Sequence, residues 1–371
     1  MGSPPRYERH MIHESETAPP AASELVATLA DEGVTHLFIN PGTDTAPVQE
    51  ALAAARVAGT PHPRSILCTH EFIALSAAMG HYFATGEPQA VMVHVDAGTL
   101  NLGGAIHNAQ RNRLPVVVFA GRTPYSTSPD VPGHRDTFIH WPQEQPDQQG
   151  VMRGFVKWTM EVPRGRELGT IVRRAYQVAR STPTGPAYVT LPREALMETI
   201  PAEIAIGAPV PPATAPPPDP AAIEEAVRLL SAARRPLILC QRGDPSGSVG
   251  ALLASLAEKF AIPVVEPYSI RNVMPSHHPM LLGYDVKGPL AEADVVLVVD
   301  SGVPWMESLH RPATETTVIQ LGPDPHFRRM PIRGHKADLA IACDTAVGLA
   351  ALAEAMTPSP HAEERRALYR Q

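Results

Sequence analysis

The chain has 371 residues, 44% apolar and 19% charged, a length that suggests two to three domains able to bury sizeable cores. Its net charge is −7 with no block of Lys or Arg, so the electrostatic footprint of a nucleic-acid binder is missing. Cys68, Cys240 and Cys343 are too few and scattered for a disulfide framework or a Cys-based zinc site. No apolar run approaches the roughly 18 residues of a membrane span, and the start MGSPPRYERH lacks the apolar core of a signal peptide. The expected setting is a reducing cytoplasm, with no nucleic acid and no membrane as partner.

Residues 1–20 read as a flexible tail. A helix capped by Ser23 is expected to run to Glu32 and stop at Gly33. Residues 34–40 (VTHLFIN) read as a strand that ends at the turn Pro41-Gly42-Thr43-Asp44. Residues 64–69 read as a second strand, followed by a helix over 71–84. A third strand is expected over 90–95, then a loop through Asn101, then a helix to about Asn112. Residues 115–120 (PVVVFA) form an apolar run suited to a strand buried on both faces. A helix over 167–181 and a strand over 187–191 complete a first domain, 21–200.

Proline stands out at 41 of 371, about 11% against a usual ~5%. Eight of the twenty residues 201–220 are proline, which marks a semi-rigid linker. The second domain, 221–356, repeats the rhythm: helix 221–233, strand 236–240, helix 249–260, strands 263–265, 294–300 and 317–321, helix 345–355. Residues 357–371 read as a linker-like tail. Alternating strands and helices define an α/β protein of two domains, each a mostly parallel sheet flanked by helices.

Ligands of open parallel sheets bind beyond the carboxyl ends of the strands. Four features of the first domain fall there: the turn 41–44, His70-Glu71, Asp96–Asn101 (DAGTLN) and the loop from Gly121 to about Gly150. Glu71 admits two readings, a first-turn acid favoured by the helix dipole or a carboxyl desolvated in a crevice and able to hold a proton against a ligand nitrogen. DAGTLN reads as a strand-to-helix turn, either a plain helix start or a place where the backbone approaches a ligand. His134, His140, His277 and His278 lack any metal-ligand spacing, so no metal site is expected on this chain. Residues 243–250 (GDPSGSVG) nearly match a dinucleotide fingerprint, but Pro245 breaks it, and a nucleotide-dependent dehydrogenase is a minor alternative.

Taken in order, the segments carry a resemblance. LVATLADEGVTHLFINPGTD, THEFIALSAAMGHYFATGEP, DAGTLNLGGAIHNAQRNRLPVVVFAG, TFIHWPQEQPDQQGVMRGFVKW and GPAYVTLP resemble the pyrimidine-binding domain of thiamine-diphosphate-dependent enzymes. The type is that of acetolactate synthase, benzoylformate decarboxylase and pyruvate oxidase. RRPLILCQRG, HHPMLLGYD, ADVVLVVDSGVPW and VIQLGPDP resemble that family's Rossmann-like central domain.

The resemblance implies that Glu71 is the glutamate that hydrogen-bonds N1′ of the cofactor's aminopyrimidine, so that the 4′ nitrogen can take the C2 proton. It implies that Gly42, Thr43, Thr99 and Asn101 line the pyrimidine and that His140 and Gln143 face the substrate, a small 2-oxo acid undergoing decarboxylation or carboligation. DAGTLN departs from the family's GPGxTN-like loop at its first two positions. FAD or an adenine nucleotide in the central domain is left undecided. The family's third domain binds the diphosphate and Mg²⁺ through a GDG motif, and no GDG triplet occurs here. A split, heteromeric enzyme is therefore expected, with Mg²⁺ ligands on a separate subunit and assembly into a heterotetramer or larger. A non-catalytic scaffold or a truncated piece of a longer enzyme are the alternatives.

Overall fold

The computed structural model describes residues 20–201, 207–271 and 273–369. Of the tail expected over 1–20, residues 1–19 lie outside them. The first unit runs α1 (Ala21–Asp31), β1 (His36–Asn40), α2 (Ala46–Ala58), β2 (Arg64–Leu67), α3 (Glu71–Thr85), β3 (Ala90–Val93) and α4 (Val95–Asn101). It continues with α5 (Gly103–Arg111), β4 (Val117–Arg122), α6 (Gln148–Arg153), β5 (Trp158–Glu161), α7 (Leu168–Arg180), β6 (Ala187–Pro192) and α8 (Arg193–Met197). The second runs α9 (Pro220–Ala232), β7 (Pro236–Cys240), α10 (Ser248–Phe260), β8 (Val264–Val265) and α11 (Lys287–Glu292). It closes with β9 (Val295–Val299), β10 (Thr317–Gly322), β11 (Leu339–Ala342), α12 (Thr345–Ala355) and α13 (Ala362–Tyr369).

The strands of the first sheet lie in the order β2-β1-β3-β4-β6-β5 and pair in parallel. The chain steps outward from β1 to β2 and then returns across β1 to β3. The order therefore reverses between β1 and β3, and in open parallel sheets ligands bind beyond the carboxyl ends at such a point. All of β3 and residues 117–121 of β4 are buried, because α1, α2 and α7 cover one face and α3 and α5 the other. The second sheet, β11-β10-β9-β7-β8, is also parallel and reverses between β7 and β9. Two parallel sheets flanked by helices are the α/β architecture expected from the sequence.

Several local readings change, among them these four. Ser23 does not cap α1; the helix starts at Ala21, behind Pro20, and the Ser23 amide already donates to the Pro20 carbonyl. Helix α2, absent from the sequence reading, buries only Val48, Ala51 and Leu52, too few apolar positions to set up a visible period. Asp96–Asn101 is helix α4, not a loop. Nor is the stretch after Thr357 an open tail: Arg365 of α13 is fully buried and donates to the Phe260 carbonyl at 3.0 Å and the Leu230 carbonyl at 2.9 Å, closing the ends of α10 and α9.

The two units meet through Arg113, which donates to Asp300 at 2.8 Å, and Arg242, which donates to the Arg111 carbonyl at 3.0 Å. Among the described residues no helix is long and apolar enough to cross a membrane.

Candidate active site

Glu71 is the first residue of α3, set there by the extended backbone of His70, whose Nδ1 accepts from the Phe72 amide at 3.1 Å. The Glu71 carboxyl is buried, with 6% of the residue exposed. Its Oε2 accepts a hydrogen bond from Asn101 Nδ2 at 3.0 Å. A Cβ on Gly98 would stand 3.3 Å from Oε1 and 3.1 Å from the Val93 side chain, so glycine lets α4 lie close over the carboxyl. Oε1 accepts no hydrogen bond among the described residues. The helix dipole and the crevice thus act on one carboxyl together.

Helix α4 has no strong local signal; tertiary contacts make it. The Thr99 hydroxyl donates to the Val95 carbonyl at 2.7 Å and lies 2.6 Å from the Tyr188 hydroxyl. Gln148 donates to the Gly121 carbonyl at 2.9 Å and to the Tyr188 hydroxyl at 3.0 Å. Burial pushes the Tyr188 phenol up to about 12, so it remains a neutral anchor. Thr99 is fully buried with its hydroxyl engaged in this anchor, so it holds α4 in place rather than presenting an oxygen to the crevice.

A second titratable pair sits at the reversal point. Asp44, in the turn after β1, is hydrogen-bonded through Oδ1 to Nδ1 of His94, which follows β3 and starts α4. Asp44 Oδ2 accepts from the Val95 amide at 3.2 Å. Two glycines make room: a Cβ on Gly121 would fall 1.4 Å from Asp44 Oδ2, and one on Gly42 would fall 1.9 Å from His94 Nδ1. The Asp44 side chain is 3% exposed and that of His94 26%, so the acid is sealed while the ring is partly exposed. The hydrogen bond that His94 donates to Asp44 holds the imidazole above its ordinary pKa, opposed by desolvation and helped by Gln143 and Asp96. Gly42 therefore serves the pair by giving the imidazole room.

The other expected residues are placed as follows. Thr43 is exposed at the turn after β1. His140 is buried, with its Nδ1 3.3 Å from the Asp136 amide and its pKa lowered mainly by desolvation. Gln143 is half-buried and faces His94. His134 lies apart, 2.9 Å from the Val131 carbonyl, and His277 and His278 belong to the second unit. In the loop 243–250, Asp244 accepts from the Ser248 and Val249 amides at 3.2 and 2.7 Å. An internal carboxylate thus occupies the α10 N-terminus, the end at which a dinucleotide's phosphates would bind. Sequence reasoning missed His94; its place directly after a buried strand at the crevice was the available signal.

Residues 21–151 match the model of the thiamine pyrophosphate enzyme N-terminal TPP binding domain, and residues 223–352 match that of the central domain. The chain belongs to the thiamine pyrophosphate enzyme family. It is 28% identical to an acetolactate synthase of Arthrospira platensis over 71% of this chain and 44% of that one. It is 27% identical to the oxalyl-CoA decarboxylase of Escherichia coli (strain K12) over 69% of this chain and 45% of that one. The solved thiamine diphosphate-dependent 4-hydroxybenzoylformate decarboxylase of Rhodococcus jostii RHA1 superposes with a TM-score of 0.73 at 25% identity, covering 91% of this chain and 63% of that one. The chain spans about half the length of the curated relatives it matches.

The residues present fit the aminopyrimidine part of the cofactor. A buried carboxyl has one oxygen held by Asn101 and the other open beneath a glycine, as recognition of a ring nitrogen requires.

Proposed function

We propose that this chain is the pyrimidine-binding subunit of a heteromeric thiamine-diphosphate enzyme that decarboxylates or ligates a 2-oxo acid, its site completed by a separate subunit binding the diphosphate and Mg²⁺. The observation that carries the reading is Glu71, buried at the start of α3 with Asn101 on one oxygen and Gly98 over the other. When bound, thiamine diphosphate supplies the nucleophilic carbon and the electron sink for decarboxylation. Asn101 fixes the carboxyl orientation by holding Oε2, which leaves Oε1 to share a proton with the ring nitrogen. Burial strengthens that hydrogen bond by keeping water from competing for it.

One observation supports a partner. Large apolar side chains are exposed on the elements that carry the site: Leu67 at the end of β2, Phe72 and Ile73 beside Glu71, Leu100 beside Asn101, and Phe138 and Trp141 near Gln143. Exposed apolar surface of this kind marks an interaction site.

Titrating the purified chain with thiamine diphosphate and Mg²⁺, alone and with a candidate subunit carrying a GDG motif, tests the reading. Weak binding alone and turnover only together are expected; tight binding and turnover by the chain alone overturn the proposal. In the assembled enzyme, Glu71→Gln is expected to slow turnover by about 10²–10⁴-fold with assembly intact. Unchanged turnover would instead identify a non-catalytic scaffold.

A further inference from the structure

Two histidines meet at the end of the first sheet opposite to Glu71. His36 opens β1, and His81 lies near the end of α3, the helix that Glu71 begins. At 1.5 Å per residue, His81 and Glu71 are about 15 Å apart along the helix axis. The two ring centroids stand 5.2 Å apart with their planes inclined at 51°, and both residues are half-buried. The hydrogen bonds around each ring settle where its proton sits. The side-chain oxygen of buried Gln89 accepts from the Thr35 amide at 3.0 Å and the His36 amide at 2.8 Å, and from the Thr35 hydroxyl at 3.2 Å. That hydroxyl has no second proton, so 2.8 Å from His36 Nδ1 it accepts, and Nδ1 carries the hydrogen. The Thr85 hydroxyl likewise donates to the His81 carbonyl at 2.9 Å and therefore accepts from His81 Nδ1 at 3.1 Å. A neutral imidazole has a single N–H, so the lone pair of each ring is at Nε2. Neither Nε2 has a hydrogen-bond partner among the described residues.

We propose that His36 and His81 form a binding site for a divalent transition metal of the zinc, copper or nickel type, each ring giving its Nε2 lone pair. The spacing fits, because a tetrahedral ion about 2.0–2.1 Å from each nitrogen holds two imidazole centroids about 5 Å apart. Imidazole suits such ions, whereas Mg²⁺ takes oxygen ligands, so this site is distinct in chemistry as well as in place from one for the cofactor's metal. The two threonine hydroxyls hold the tautomer that a metal requires, as the outer partners of metal-bound histidines do. Among the described residues no group of three or more His, Cys, Asp or Glu is placed to hold a metal. The pair therefore supplies two ligands, and water or a side chain of another molecule supplies the rest. Arg64 pairs with His36 across β1 and β2, but it is exposed, so water and salt screen its charge from the ion.

The test needs neither cofactor nor partner. In the full chain labelled with ¹⁵N-histidine, His36→Gln and His81→Gln identify the two rings. At about pH 8, above the ordinary histidine pKa of ~6.5, both are expected to show a protonated Nδ1 and a bare Nε2. Zn²⁺ is expected to shift both Nε2 signals together and Mg²⁺ to shift neither. In calorimetric titration with Zn²⁺, Thr85→Val, which keeps both rings, is expected to weaken this site by about tenfold or more, and either histidine variant to weaken it further. A proton on Nε2 of either ring overturns the proposal, as does a Zn²⁺ response that is absent or confined to one ring. Both are read in the parent protein and hold whether or not a variant folds. Equal Zn²⁺ affinity in the parent, His36→Gln and His81→Gln proteins overturns it as well.

Discussion

Replacing Gly121 by alanine tests the geometry of the crevice without touching a polar group. Gly121 pairs with Leu191 inside the first sheet, and a Cβ there would lie 1.4 Å from Oδ2, 2.3 Å from Cγ and 2.8 Å from Cβ of Asp44. No rotation of the carboxyl relieves three overlaps at once, so the whole side chain must leave. Its departure strips the Val95 amide of its acceptor, at about 1–3 kcal/mol, and the forced repacking adds about 1–3 kcal/mol. The expected loss is about 2–6 kcal/mol. Urea unfolding followed by tryptophan fluorescence reads it, because Trp158 reports the first sheet and Trp305 the second. Gly80→Ala is the control: it lies within α3 with open space where the Cβ would go, and is expected to stabilise by about 0.5–1 kcal/mol. A Gly121→Ala protein as stable as the parent would refute the packing described around Asp44.

Other consequences follow from the same contacts. Glu32 is buried between Arg180 at 2.7 Å and Arg173 at 3.2 Å, so Glu32→Ala leaves a buried guanidinium short of its partner and is expected to cost about 3–5 kcal/mol in urea unfolding. Arg365→Met removes donors from the carbonyls ending α9 and α10 and is expected to destabilise the second unit by about 1–3 kcal/mol, with the Trp305 transition moving most. The raised His94 pKa adds stability that is fully present below the unfolded value near ~6.5 and is lost as pH rises through the folded value. The lowered His140 pKa acts oppositely, removing stability as pH falls below ~6.5. Unfolding free energies of Asp44→Asn and His140→Gln between pH 5 and about 9 are expected to lose one limb each.

The strands were legible because burial on both faces leaves unbroken apolar runs, as in residues 117–120 and 295–299. Helix α12, expected over 345–355, starts and ends at those residues because Asp344 caps it locally by accepting from the Val347 amide at 3.0 Å. Helix α4 was not legible, since its anchors, Tyr188 and Gln148, come from far along the chain. The same holds for Asp44 and His94, fifty residues apart, and for Arg365, whose carbonyl partners lie more than a hundred residues away. Glu71 could be singled out because a strand, an acid and a helix follow one another directly; Asn101 came only from the family resemblance, as a residue lining the pyrimidine, and its bond to Glu71 was not legible.

The central claim is that Glu71 holds the pyrimidine end of thiamine diphosphate in a site that a second subunit completes. The most direct test is calorimetric titration of thiamine diphosphate with Mg²⁺ into the parent and Glu71→Gln chains, each with and without a GDG-bearing subunit. The account predicts at least tenfold tighter binding with the subunit, about 1.4 kcal/mol, and a loss of that gain in Glu71→Gln. Equal, tight binding by the parent and Glu71→Gln chains in the absence of any partner would contradict it.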